Sequence, residues 1–190
     1  MSDELTFNEL QREVQNNSQI SLKENVVLAG LFEGANFREG IKIRSDNLVI
    51  DGNGHTIDAK GKVRIFNISG KNITLKNINL KNGFDKRYGG AIRNAGSCNI
   101  INCTFESNFA EMGGDDISNG SEMCISNCKF SHIGSIHNVG SLYAFEDEAE
   151  DMNQIVSDGN DLIKKHLLDI SFNVINDDNN PLEGAVISID

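Results

Sequence analysis

The chain has 190 residues, of which 38% are apolar and only 6% aromatic, and it carries a formal net charge of −11. That length supports one well-buried fold but not two large domains. The charge excludes a nucleic-acid backbone as partner, because phosphates would be repelled, and disfavours anionic membranes for the same reason.

The first element in chain order is a helix over residues 5–16. Thr6 and Glu9 make a T-x-x-E capping box, Leu5 and Leu10 stand at hydrophobic-staple positions, and Phe7, Leu10 and Val14 share one face. This segment, residues 1–19, is expected to plug the open end of a β stack. From Ile20 the period changes to short alternating apolar runs such as Ile41-Lys42-Ile43, Leu48-Val49-Ile50 and Ile73-Thr74-Leu75, set off by Gly, Asn and Asp. No helix-length segment separates these runs, which excludes a strand-helix alternation. A single Pro beside 18 Gly leaves the turns to Gly, Asn and Asp, residues that tolerate left-handed backbone.

Residues 20–145 repeat internally. At a shift of about 25 residues, Gly89 meets Gly114, Ile92 meets Ile117, Asn94 meets Asn119, Ile100 meets Ile125, Cys103 meets Cys128 and Phe105 meets Phe130. The same step carries Ile117 onto Leu142 and, backwards, Asn102 onto Asn77 and Phe105 onto Leu80. One ungapped register over several units predicts an all-β fold, a right-handed parallel β-helix with coils of about 25 residues. Equivalent residues then stack about 4.8 Å apart in ladders. Leu80, Phe105 and Phe130 form one apolar column, Cys103 and Cys128 another, and Ile92, Ile117 and Leu142 a third. The Asn77, Asn102 and Asn127 column falls between two strands, where a left-handed turn residue is needed and stacked amides can bond one another.

Residues 146–167 open with the acidic run Glu146-Asp147-Glu148-Ala149-Glu150-Asp151 and read as a solvated linker without the spacing of a calcium loop. Residues 168–190 read as two alternating strands about a polar turn, a partial β-hairpin and the start of a second β-domain. Met1-Ser2-Asp3-Glu4 lacks the basic and then apolar pattern of a secretory signal, and no run of about 18 apolar residues provides for direct membrane insertion. The C-terminal segment favours a domain of a longer exported protein over a cytoplasmic one.

Asn47-Leu48-Val49-Ile50-Asp51-Gly52-Asn53-Gly54-His55-Thr56-Ile57-Asp58, Gly89-Gly90-Ala91-Ile92-Arg93-Asn94 and Asn102-Cys103-Thr104-Phe105-Glu106-Ser107-Asn108 resemble the coils of adhesin-like surface proteins of methanogenic archaea. The GGAI and FxxN elements are also similar to the repeats of bacterial polymorphic outer-membrane proteins. The C-terminal Asn180-Pro181-Leu182-Glu183-Gly184-Ala185-Val186-Ile187 is similar to the first strands of immunoglobulin-like or carboxypeptidase-regulatory-like modules. The resemblance implies a cell-surface or extracellular module whose partners are glycans or surface proteins. The same fold also carries polysaccharide lyases and glycoside hydrolases of the pectin-degrading type, so the alternative is an enzyme.

The residues weigh against that alternative. Asp115 and Asp116 follow Gly114 as the paired aspartate of pectin-cleaving glycosidases does, and an inverting pair needs carboxyls about 6.5–9.5 Å apart. The N-T-D and G-H-G segments that accompany the pair in those enzymes have no counterpart here: Arg93-Asn94 stands in the earlier coil, and His132 and His137 lack flanking glycines. Asp115 and Asp116 occupy the Gly90 and Ala91 slots of the repeat, where a variable turn accounts for them. Lys86 and Arg87 beside Asp85 could serve lyase chemistry, but a solvated loop is the simpler reading. Cys98, Cys103, Cys124 and Cys128 lack zinc-site spacing; alternation turns all but Cys124 inward as apolar fillers, with room for a Cys103–Cys128 disulfide but no requirement for one. No cofactor or metal is expected.

Overall fold

A computed structural model describes residues 4–130, 134–146, 155–157 and 162–166. The described chain is built of short strands stacked in parallel and joined by turns, a parallel β-helix, with two helices. The capping box at Thr6 sets the first helix, α1 (Phe7–Asn16): the Thr6 hydroxyl accepts from the Glu9 backbone, and the Glu9 carboxylate accepts from the Thr6 N–H at 2.8 Å. α1 buries Phe7, Leu10 and Val14 against the first coils, with Phe7 edge-on to Phe37 at 5.7 Å.

The coils as far as Thr104–Glu106 visit three sheets in turn, and the described strands after it belong to two of them, apart from the short outer strand Phe109–Ala110. Among the described residues, a six-stranded sheet stacks Ile41–Ile43, Phe66–Ile68, Ile92–Asn94, Ile117–Asn119, Ile136–Asn138 and Ile155–Ser157. A seven-stranded sheet stacks Gln19–Ser21, Val49–Asp51, Ile73–Lys76, Ser97–Ile101, Glu122–Ser126, Ser141–Glu146 and Leu162–His166. A five-stranded sheet stacks Leu5–Thr6, Val26–Val27, Thr56–Asp58, Asn79–Lys81 and Thr104–Glu106. Two outer strands, Phe84–Asp85 and Phe109–Ala110, pair beside the third sheet. Alternation along each strand sends Ile41, Ile43, Ile50, Ile57, Leu80, Ile92 and their equivalents into one continuous core.

Between the seven- and five-stranded sheets the chain turns on Asn77, Asn102 and Asn127, at φ 55°, 50° and 51°. Asn reaches this left-handed conformation at lower cost than other chiral residues. The Asn102 amide donates to Asn77 Oδ1 at 2.7 Å, and Asn77 in turn donates to Asp51 Oδ1 at 2.9 Å.

The spacing between stacked equivalents varies: 31 residues from Val26 to Ile57, 25 from Ile92 to Ile117, and 19 from Ile117 to Ile136. The longest coil accommodates α2 (Gly30–Asn36). The shortest one corrects a ladder expected from the sequence: Ile117 faces Ile136, while Leu142 faces Met123 in another sheet. The cause is the connection into the six-stranded sheet. Ser135 takes the slot of Asp116, but it lies 5 residues after Phe130, whereas Asp116 lies 11 after Phe105, so a fixed step overshoots by six. The stack also continues past residue 145, where the sequence suggests a linker: Ile155 pairs with Ile136 and Leu162 with Leu142. The partial hairpin expected over 168–190 lies outside the described residues.

Candidate functional site

The connection between the five- and six-stranded sheets is the longest in each coil, and it borders the outer face of the six-stranded sheet. Side chains pointing inward from this connection hold it in place. Asn108, the last residue of the FxxN element, is buried; its Oδ1 accepts from Gly83 N at 2.7 Å, and its amide donates to Leu80 O at 3.0 Å and to Asp116 Oδ1 at 2.8 Å. Arg64 is also buried. Its Nε donates to Gly89 O at 2.7 Å and its Nη2 to Tyr88 O at 2.9 Å, and it pairs with Asp85 at 2.7 Å. Burial pulls the Arg64 guanidinium below its ordinary value, while Asp85 opposes this.

These contacts engage the carboxylates that the sequence offers as catalytic candidates. Asp116 is 0% exposed and braces Asn108, so its carboxylate cannot meet a polysaccharide. Asp115 is half-buried and accepts from Ala110 N at 2.8 Å, which closes the turn. Asp85 is engaged by Arg64 and by the Arg87 N–H, and Lys86 and Arg87 lie exposed on the loop. No group of three or more His, Cys, Asp or Glu among the described residues is placed to hold a metal ion.

What the connection frames is a face. Lys42, Asn67, Arg93, Ser118 and His137 are in register on five successive strands, outside the core, and so follow one another at about 4.8 Å. Tyr88 leans over one end of this row, its ring stacked on His137 at 4.3 Å and 17°. Phe84 and Phe109 stack at 6.3 Å on the neighbouring strands, and Phe109 and Met112 are 52% and 58% exposed. Lys42 pairs with Glu39 at 2.7 Å. The hydrogen bond and charge of Lys42 hold the Glu39 carboxyl below its ordinary value, with smaller help from Arg64 and Arg93. The row thus offers cations, an amide, a hydroxyl and aromatic rings, a set suited to non-covalent contact with a polar surface or a sugar. Sequence reading did not assemble it, because its members are contiguous only across coils. The available signal was the repeat itself, which aligns Arg93 with Ser118.

Three further columns run through the stack. Asn94, Asn119 and Asn138 are buried at the ends of the six-stranded sheet, each amide donating to the next Oδ1 at 2.8 Å. Asn94 and Asn119 Oδ1 also accept from Gly96 N and Ser121 N, so the column closes the turn between two sheets. Phe105 lies opposite Leu80 and stacks on Phe130 at 4.8 Å and 10°. Cys103 and Cys128 occupy equivalent places in adjacent coils, each thiol donating to backbone carbonyls; the neighbouring Cys128 thiol holds Cys103 below its ordinary value, and Cys103 together with burial pushes Cys128 up. Cys98, buried alone against its neighbours, is pushed up to about 12.

The family model described as "Putative pectate lyase-like adhesive domain" matches residues 5–112, more than half of the chain and most of the described coils. No curated protein and no solved structure matches.

Proposed function

The chain belongs to the pectate lyase-like adhesive domain family, and on that footing we propose that it is a non-catalytic adhesive module of a cell surface. In this reading a right-handed β-helix with coils of about 25 residues presents the outer face of its six-stranded sheet to glycans or to proteins of another surface. The hand follows from the general rule that parallel strands in one sheet are joined by right-handed crossovers. The observation that carries the proposal is the contrast between two sets of side chains: the carboxylates that could have been catalytic are built into turns, and the outward-facing row from Lys42 to His137, exposed at Arg93 and half-buried elsewhere, holds contact groups. Adhesion needs complementarity and no acid–base pair, which is what this face provides.

A glycan array probed with the purified chain tests it. Binding should be retained by Asp115→Asn and lowered about tenfold or more by Arg93→Ala combined with Tyr88→Ala, equivalent to losing about 1.4 kcal/mol, with the melting midpoint of both variants checked. Cleavage of pectin-like or other acidic polysaccharides that Asp115→Asn or Asp116→Asn abolishes would overturn the proposal in favour of a lyase or hydrolase.

A further inference from the structure

We infer that Cys103 and Cys128 form a thiol–disulfide modification site, at which a small-molecule disulfide joins two successive coils covalently. Among the described residues, Thr104–Glu106 of the five-stranded sheet meets the next coil at the bridge Thr104↔Lys129, through Lys129 N to Cys103 O and Phe105 N to Lys129 O at 2.9 Å each. Cys103 and Cys128 immediately precede the two bridged residues, one in each coil.

Their geometry suits a bond. Cys103 and Cys128 each follow an Asn in the same left-handed conformation, Asn102 at φ 50° and Asn127 at φ 51°. Equivalent backbones one coil apart project their side chains in parallel, at a strand spacing of about 4.8 Å; this lies inside the roughly 4.4–6.8 Å between Cα atoms that a disulfide spans and a few tenths of an ångström beyond its usual reach of about 3.5–4.5 Å between Cβ atoms, so closing the bond draws the two coils slightly together. Two residues further on, the Phe105 and Phe130 rings hold the same separation at 4.8 Å. The thiols point alike: Cys103 Sγ donates to Ile101 O at 3.4 Å and Cys128 Sγ to Ser126 O at 3.3 Å. The other two cysteines are not matched in this way. Cys98 lies opposite Met123, and Cys124 lies opposite Asn99, so they leave their strands on opposite faces.

The chemistry is a double exchange. One of the two thiols gives up its proton and, as the thiolate, attacks one sulfur of the reagent RSSR, forming a mixed disulfide and releasing RS⁻, which takes up that proton as RSH. The other cysteine's thiolate then attacks the protein sulfur of the mixed disulfide, the second RS⁻ leaves with the second proton, and the net change is two protein thiols and RSSR to one protein disulfide and two RSH. An oxidising compartment supplies such a reagent.

The test incubates the folded chain with oxidised glutathione, alkylates the remaining thiols after denaturation and maps the peptides by mass spectrometry. The expected product links the Cys103 and Cys128 peptides and leaves Cys98 and Cys124 alkylated, and its melting midpoint lies about 5–10 °C above that of the reduced chain, as closure of a loop of this length implies. Four alkylated cysteines, a link through Cys98 or Cys124, or a midpoint that does not rise overturns the inference. The comparison uses the unsubstituted chain before and after oxidation, so it does not depend on a variant folding, and no result on the glycan array bears on it.

Discussion

Replacing Asn119 by Ala removes the middle member of the buried amide column. Its Oδ1 accepts from Asn94 Nδ2 and Ser121 N, and its amide donates to Asn138 Oδ1, Ser121 O and Ser141 O. Ala fits the backbone, since Asn119 is outside the left-handed set, so the loss is that of the side-chain contacts. Asn94 keeps its bond to Glu122 O, while the Ser121 N–H, Ser121 O and Ser141 O lose the bonds that the Asn119 side chain makes to them. At about 1–3 kcal/mol for each buried polar group deprived of a partner, the cost is about 3–4 kcal/mol. That is a large part of the 5–15 kcal/mol that typical domains possess. Asn102→Ala, in the exposed column, should cost less, about 1–2 kcal/mol from one solvated hydrogen bond and the left-handed backbone. Urea melts of the two variants followed by far-ultraviolet circular dichroism provide the comparison. If Asn119→Ala loses no more stability than Asn102→Ala, the buried column does not hold the coils together and the reasoning fails.

Three other outcomes follow from the packing. A Cβ at Gly96 would lie 2.0 Å from Gly70 O in the coil below, so Gly96→Ala should prevent soluble folding or cost about 3 kcal/mol or more, whereas Gly54→Ala, with open space at φ 81°, should cost about 1 kcal/mol; expression yield and melts separate them. Arg64→Leu strands Asp85 and should destabilise by about 3–5 kcal/mol, with part of the loss recovered in Arg64→Leu/Asp85→Leu, as a double-mutant melt would measure. Asp51 is held below its ordinary value by Asn77, by Asn53 N–H and, more weakly, by Lys76. A lowered folded value means stability that is full above the ordinary carboxylate range and lost as pH falls through it, so the urea midpoint should drop from pH 7 to pH 3 and drop less in Asp51→Asn.

The parts of this fold visible in the sequence were those repeated at a constant step. Ile92 with Ile117 and Phe105 with Phe130 stand out because inward ladders demand like residues at equal spacing, and the box at Thr6 and Glu9 marked α1 because it is local. What escaped was whatever broke the step or had no local pattern. The shortened coil before Ser135 displaced Leu142 from its expected partner. Nothing in the sequence singles out Arg64, and only the folded chain shows its burial against Asp85 and Tyr88. The row on the six-stranded sheet is dispersed across coils, and its side chains differ in kind because the outer face, unlike the core, imposes no common size or polarity.

The strands of this stack run across its long axis, so the hydrogen bonds between coils lie along that axis. Tension applied between the two ends would therefore pull these bonds open one rung after another, as a zipper opens, and would not load them all together in shear. Each coil of 25 residues that peeled away would pay out about 80 Å of slack chain. An adhesive domain built in this manner would yield by small increments under load and re-form when the load eases, because each coil needs only its neighbour as a template.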